Sequence, residues 1–148
     1  KSKEPVKNWP VDYWTELIKC LTSKFSIIHL GDEKEPIFKN VIRYAGVHTM
    51  RESAALLSIS KLFIGPDSLL MHIANGLKIK SIIIFGGSRP VECFGFEENI
   101  NLSFSPVCSP CWIHEGHETC SYDVECMRAI SVQQISSNVL KNLEACPS

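Results

Sequence analysis

Phe63-Ile64-Gly65-Pro66-Asp67-Ser68-Leu69-Leu70-Met71-His72-Ile73-Ala74 is the stretch that decides how this chain folds. Its first residues are apolar and suit a buried strand. Gly65-Pro66-Asp67-Ser68 is turn chemistry, and the spacing from Ser68 to Asn75 predicts a helix ended by Gly76. A strand running through a tight polar loop into a helix is the first part of a βα unit. Its geometry collects unpaired backbone N–H groups, a hydroxyl and a carboxylate at one point, where an anion can be held.

Toward the C-terminus, residues 79–85 contain Ile82-Ile83-Ile84-Phe85, a continuous apolar run of the kind found in strands buried on both faces of a parallel sheet. Gly86-Gly87-Ser88-Arg89-Pro90 follows, and Ile100-Asn101-Leu102-Ser103-Phe104 alternates like a short last strand. Residues 131–143 predict a closing helix with Val132, Ile135, Val139, Leu140 and Leu143 on one face, and Ser131 with Gln134 has capping-box form.

Toward the N-terminus, Trp14, Leu17, Ile18 and Leu21 lie at helical spacing after the loop Lys7-Asn8-Trp9-Pro10. Residues 25–30 predict a strand with Gly31-Asp32-Glu33 as the loop behind it. The apolar positions Ile37, Val41, Ile42 and Ala45 predict a second helix, with Pro36 near its first turn and Gly46 as its stop. Thr49 with Glu52 is a second capping box and starts a third helix through Ala54, Ala55 and Leu56.

Strands alternating with helices define an α/β chain with a mostly parallel sheet and helices on both faces. Ligands of such sheets bind beyond the carboxyl ends of the strands, where Gly31-Asp32-Glu33, Gly65-Pro66-Asp67-Ser68 and Gly86-Gly87-Ser88 all lie.

Composition bounds the possible functions. The 148 residues predict a single domain over 1–148, with 105–130 a cysteine-rich knuckle and 131–145 a C-terminal helix. A hydrophobic fraction of 45% and a charged fraction of 21% are those of an ordinary globular protein, and a net charge of −1 argues against a nucleic-acid partner. No apolar run approaches the roughly 20 residues of a membrane span. The charged start at Lys1-Ser2-Lys3-Glu4 is not a signal peptide, and the missing initiator Met leads us to expect a piece of a longer chain.

Chemistry-bearing residues collect in two places. At the helix start, Asp67 or Ser68 caps the helix, or the Ser68 hydroxyl and the nearby N–H groups face a phosphate. His72 lies one turn on and shares that face. Lys7 stands in the loop before the first helix, where a single lysine is usually solvated; Glu33, after the first strand, can accept from a ribose or base, though a surface glutamate is common there. Gly86-Gly87-Ser88-Arg89 also follows a buried strand and could cradle a phosphate, but it lacks the glycine spacing of a Walker or dinucleotide motif and a turn is the plainer reading.

The other place is Cys108-x2-Cys111-x8-Cys120-x5-Cys126, with His114 and His117 between the pairs. Four thiolates suit a tetrahedral zinc or iron ion; two disulfides or four free thiols are the other readings. An odd total of seven cysteines argues against a fully paired secreted scaffold and for a reducing compartment.

Six ordered pieces, from Lys7-Asn8-Trp9-Pro10 through Leu30-Gly31-Asp32-Glu33, Thr49-Met50-Arg51-Glu52-Ser53-Ala54, the quoted stretch, Ile83-Ile84-Phe85-Gly86 and the cysteine segment ending in Cys126-Met127-Arg128-Ala129-Ile130, together resemble the C-terminal half of glycosyltransferase family 9, the ADP-heptose:lipopolysaccharide heptosyltransferases. The resemblance implies one Rossmann-like half of a GT-B glycosyltransferase: the half that binds the nucleotide-sugar donor of an inverting enzyme in lipopolysaccharide or related glycan synthesis. It implies that the acceptor-binding N-terminal half carries the catalytic carboxylate, so no catalytic residue is assigned here and this stretch alone is inactive. It places Lys7 by the donor phosphates, Glu33 on the nucleoside, His48 and Thr49 in the base pocket, and Asp67, Ser68, Leu69 and His72 at the donor-binding helix start. It also implies no catalytic cofactor, a structural zinc or iron on Cys108, Cys111, Cys120 and Cys126, and a cytoplasmic protein peripheral to the inner membrane. Relatives that glycosylate proteins resemble it in holding iron on four cysteines.

Two residues depart from the family pattern. Leu69 stands where the family usually has Gly, so a side chain occupies a place where donor and backbone approach closely. Arg89 stands where an acidic residue is common. The alternative function is a non-catalytic binding or assembly module carrying a structural metal knuckle.

Overall fold

The computed structural model describes residues 5–46, 49–111 and 120–144. A single 3-10 turn (Pro5–Lys7) leads into α1 (Val11–Leu21), β1 (Ile28–His29), β2 (Ile42–Arg43), α2 (Met50–Ser58), β3 (Phe63–Pro66), α3 (Leu69–Gly76), β4 (Ser81–Phe85), α4 (Val91–Phe94), β5 (Ile100–Ser103), α5 (Glu125–Arg128) and α6 (Val132–Glu144). All strand pairs are parallel: β1 with β2 in one sheet, and β3-β4-β5 in the other.

β4 is the axis of the fold. All five of its residues are buried, and the two-residue period sends them alternately to two cores. Ile82 and Ile84 meet Leu17 and Leu21 of α1, Met127 of α5, and Ile135 and Val139 of α6. Ile83 and Phe85 meet Leu57 of α2, Phe63 of β3, and Met71 and Ala74 of α3. Helices therefore cover both faces, as the unbroken apolar run predicts.

The helix starts follow their caps. Thr49 accepts from the Glu52 amide at 3.3 Å, and the Glu52 carboxylate accepts from the Thr49 amide at 2.7 Å. Ser131 and Gln134 make the same reciprocal pair at 3.2 and 2.8 Å. In each case two orphan donors at a helix start are satisfied.

The helix expected over Ile37 to Ala45 is absent; that segment is a loop entering β2. Asn40 sits in the left-handed region at φ 60°, which ends a right-handed helix. Ile37 and Ile42 are 85% and 51% exposed while Ala45 is buried, so the four apolar positions do not share one buried face. Gly46 is therefore not a helix stop. At φ 80° it packs on the Glu33 backbone, where a Cβ would collide with Glu33 Cα. Gly76 is the last residue of α3, and the left-handed residue beyond it is Lys78.

The segment before α1 is locked to Ile130, between α5 and α6, beside the site. Trp9 donates its indole N–H to the Ile130 carbonyl at 2.9 Å in a buried bond, and its ring meets Tyr13 and Trp14 edge-on. Val6 is 1% exposed. Gly86, at the end of β4, lies so close to the Val6 carbonyl that a Cβ there would overlap it. These contacts fix the turn that carries Lys7.

Candidate functional site

The parallel β3–β4 register ends at Pro66 opposite Ile84, so Asp67-Ser68 and the loop after Phe85 leave the same edge of neighbouring strands. Lys7 reaches this edge from the N-terminal turn. Its Nζ lies 3.1 Å from Asp67 Oδ2, with side chains only 11% and 9% exposed. The contact is an ion pair without hydrogen-bond alignment, and Oδ2 accepts no hydrogen bond. Two of the expected donor residues, 60 positions apart, thus form one buried charged unit.

Ser68 occupies the N-cap of α3 in an extended conformation, φ −156° and ψ 171°, but its side chain makes no capping bond. Its carbonyl accepts from Met71 N at 3.0 Å and His72 N at 3.4 Å. Asp67 is committed to Lys7. The start of α3 therefore keeps an unused hydroxyl beside its first N–H groups. Leu69 is 54% exposed at this corner, its side chain at the surface and not in the core. His72 is exposed too, with its ring edge-on to Phe96 at 5.4 Å.

The other expected residues stand apart in their bonding. Thr49 uses its hydroxyl in the α2 capping box. Glu33 is exposed in the loop after β1, and that loop is braced by Arg43: its guanidinium donates to the carbonyls of Glu33, Glu35 and Pro36 at 2.9–3.1 Å. Arg43 also donates to His29 Nδ1 at 3.3 Å. Burial first, then the Arg43 charge, holds the His29 imidazole below the ordinary histidine range, which keeps Nδ1 an acceptor. His48, His114 and His117 lie outside the described residues.

Gly86-Gly87 is a packing turn. The Gly87 carbonyl accepts from Ser109 Oγ at 3.1 Å and Cys111 N at 2.9 Å. These bonds tie the cysteine segment to the end of β4. Cys108, Cys111, Cys120 and Cys126 line one cavity of about 190 Å³ with Val6, Gly87 and Glu125. All four are free thiols, so neither disulfide is formed. Burial raises the Cys126 thiol pKa. A hydrogen bond from the Gly87 backbone opposes the rise, and the nearby Cys120 adds to it. Four soft cysteine sulfurs thus line one space, although no three His, Cys, Asp or Glu side chains stand in ligating geometry among the described residues.

Sequence reasoning missed three supports of this edge. Trp9 and Val6 set the position of Lys7 through contacts 121 residues away and across the end of β4. Arg43 lay in a segment expected to be helical. None leaves a periodic signal: Trp9 and Val6 are defined by distant partners, and Arg43 by loop carbonyls that no pattern marks.

Parallel sheets with helices on both faces and a polar corner beyond the strand ends make this an α/β chain of the Rossmann-like kind, matching fragments of GT-B glycosyltransferases. The sequence model for glycosyltransferase family 9 (heptosyltransferase) matches residues 1–121, and the chain belongs to that family. No curated protein matches it by sequence. Among solved structures it is similar to the iron-containing dodecameric glycosyltransferase TibC from enterotoxigenic E. coli H10407, with TM-score 0.79 and 21% identity over 98% of this chain and 44% of that one. It is similar to iron-containing heptosyltransferase TibC in complex with ADP-D-beta-D-heptose, with TM-score 0.82 and 22% identity over 98% and 43%. A family 9 glycosyl transferase from Veillonella parvula DSM 2008 gives TM-score 0.69 and 17% identity over 98% and 44%. The chain thus spans less than half the length of these relatives. Among the described residues no helix is long and apolar enough to cross a membrane.

Proposed function

We propose that this chain is the donor-binding half of an inverting glycosyltransferase that uses an ADP-heptose-like nucleotide sugar. The observation that carries the reading is the match of 98% of the chain to a heptosyltransferase solved with ADP-D-beta-D-heptose. The corner at Asp67 and Ser68 supports it, with an open helix start and an unused hydroxyl beside a buried cation. In the reaction, an acceptor hydroxyl attacks the anomeric carbon, the bond to the donor oxygen breaks, and a nucleoside diphosphate leaves. The N–H groups at the start of α3 and the Ser68 hydroxyl stabilise the leaving diphosphate, where negative charge develops. Lys7 neutralises the Asp67 carboxylate, so that this corner does not repel the leaving diphosphate. Glu33 and Thr49 lie on the nucleoside side, Leu69 borders the donor, and His72 donates to it. The residue that deprotonates the acceptor belongs to an N-terminal half outside these residues, so this chain alone binds donor without transferring it. The setting is cytoplasmic, on lipopolysaccharide or a related glycan.

Titration calorimetry with ADP, GDP and UDP tests the reading. ADP is expected to bind with measurable heat, and Ser68→Ala to weaken it. A folded sample that binds none of the three contradicts the donor site and leaves the assembly-module reading, to which the exposed Leu69 lends support.

The four cysteines would hold a zinc or iron ion as a structural cross-link, fastening the segment behind Gly87 to the end of β4. The relative TibC is iron-containing, and the donor set here is of the same soft kind. Metal analysis of protein purified without chelator is expected to return about one ion per four thiolates. Metal-free protein with an unchanged melting temperature would remove the site.

A further inference from the structure

We propose that Arg89 grips the outer phosphate of the bound nucleoside diphosphate, as the charge-reading residue of this site; the inference rests on the donor-site reading above. Lys7, the cation expected at the phosphates, is engaged by Asp67 at 3.1 Å and buried behind the strand edge. Arg89 is differently placed. It stands on the loop leaving β4, the strand paired in register with β3, so it emerges at the edge that presents Ser68. Its Nε is buried and has no hydrogen-bond partner. Its guanidinium carbon lies 4.9 Å from the Phe94 ring centroid, and no carboxylate pairs with it among the described residues.

The chain supplies Nε with no acceptor and the guanidinium with no carboxylate among the described residues, so an anion at its outer nitrogens would meet an uncompensated charge. The ring beneath it holds the group in place without using its N–H donors. Phe96, two residues beyond the end of α4, meets the His72 ring edge-on at 5.4 Å. Phe94 and Phe96 pack with Leu70 and Ile73 of α3 against one core. One aromatic shelf thus brings Arg89 and the first turns of α3 to the same side of the sheet. A planar fork of donors matches a terminal phosphate, with two parallel N–H···O bonds. A nucleoside monophosphate has no outer phosphate to meet it.

The test compares adenosine, AMP and ADP by calorimetry on the full-length polypeptide, as wild type, Arg89→Gln and Arg89→Lys. Gln keeps an extended stem over Phe94 without the charge, and equal melting temperatures establish that the variants are folded. Arg89→Gln is expected to weaken ADP about tenfold to a hundredfold, the range for hydrogen bonds to charged groups, while adenosine binds as before. Arg89→Lys restores part of the loss, since it keeps the charge and lacks the fork. ADP affinity unchanged in Arg89→Gln overturns the proposal and leaves the donor site standing. Equal loss for adenosine and ADP also overturns it, by making Arg89 a scaffold residue. Wild-type protein that binds none of the three overturns the donor site and this proposal together.

Discussion

Lys7→Met is expected to destabilise the fold by about 3–5 kcal/mol, the usual range for removing one partner of a buried ion pair, and to abolish nucleotide binding. Asp67 is 9% exposed, and its Oδ2 accepts no hydrogen bond. What offsets its desolvation is the ammonium 3.1 Å away. Without that charge the carboxylate stays at the end of β3, where water reaches it poorly and a low dielectric makes the loss large. Lys7→Met with Asp67→Leu removes both charges and is expected to recover most of the stability, because a buried pair replaced whole by apolar groups is often neutral. Binding is not recovered, since Asp67 sets the approach of the chain to Ser68. Urea denaturation of the single and double variants checks this. A midpoint for Lys7→Met equal to that of wild type contradicts the structural role given to the pair.

Gly86→Ala is expected to cost about 3 kcal/mol, the upper end for overpacking, because the obstacle is backbone. The new Cβ would overlap the Val6 carbonyl oxygen and lie 3.4 Å from Met127 Sδ. A side chain can rotate away, but the Val6 carbonyl moves only with the whole turn Pro5–Lys7. That turn is held on its other side by the Trp9–Ile130 bond. Displacing it separates Lys7 from Asp67, so nucleotide affinity falls with stability. Gly76→Ala is the control: nothing lies within 4 Å of its added Cβ, and Ala is better than Gly in a helix by up to about 1 kcal/mol. Thermal melts of the two variants are expected to shift in opposite directions. A Gly86→Ala protein as stable as wild type would show that the N-terminal turn does not rest on the end of β4.

The central architecture was legible because its signals are local or strictly periodic. Ile82-Ile83-Ile84-Phe85 is apolar at every position because β4 feeds two cores, and an exposed face would have shown alternation. The Thr49–Glu52 and Ser131–Gln134 boxes marked two helix starts within one residue, since each pairing closes within three residues. The segment from Ile37 to Ala45 misled for the converse reason. Its apolar spacing is genuine, but the left-handed Asn40 and the Arg43 bonds to loop carbonyls decide its path, and neither appears in a periodicity.

At the site, the loop and helix around Asp67 and Ser68 were readable from turn and capping chemistry. That Ser68 leaves its hydroxyl unused was not, because N-cap residues normally bond back to the helix. Lys7 and Asp67 were each singled out, yet their pairing depends on how Trp9 and Gly86 seat the N-terminal turn. Arg89 stood out in the sequence only as a departure from a family pattern. Its buried, unpartnered Nε is a property of the folded chain.

Amide shift mapping of the labelled protein during titration with ADP tests the donor-binding claim most directly. The account predicts saturable shifts concentrated on Ser68, Leu69, Leu70 and Arg89, at the start of α3 and on the loop after β4. Shifts confined to the cysteine cavity around Cys108 and Cys126, or none at saturating ADP, would contradict it.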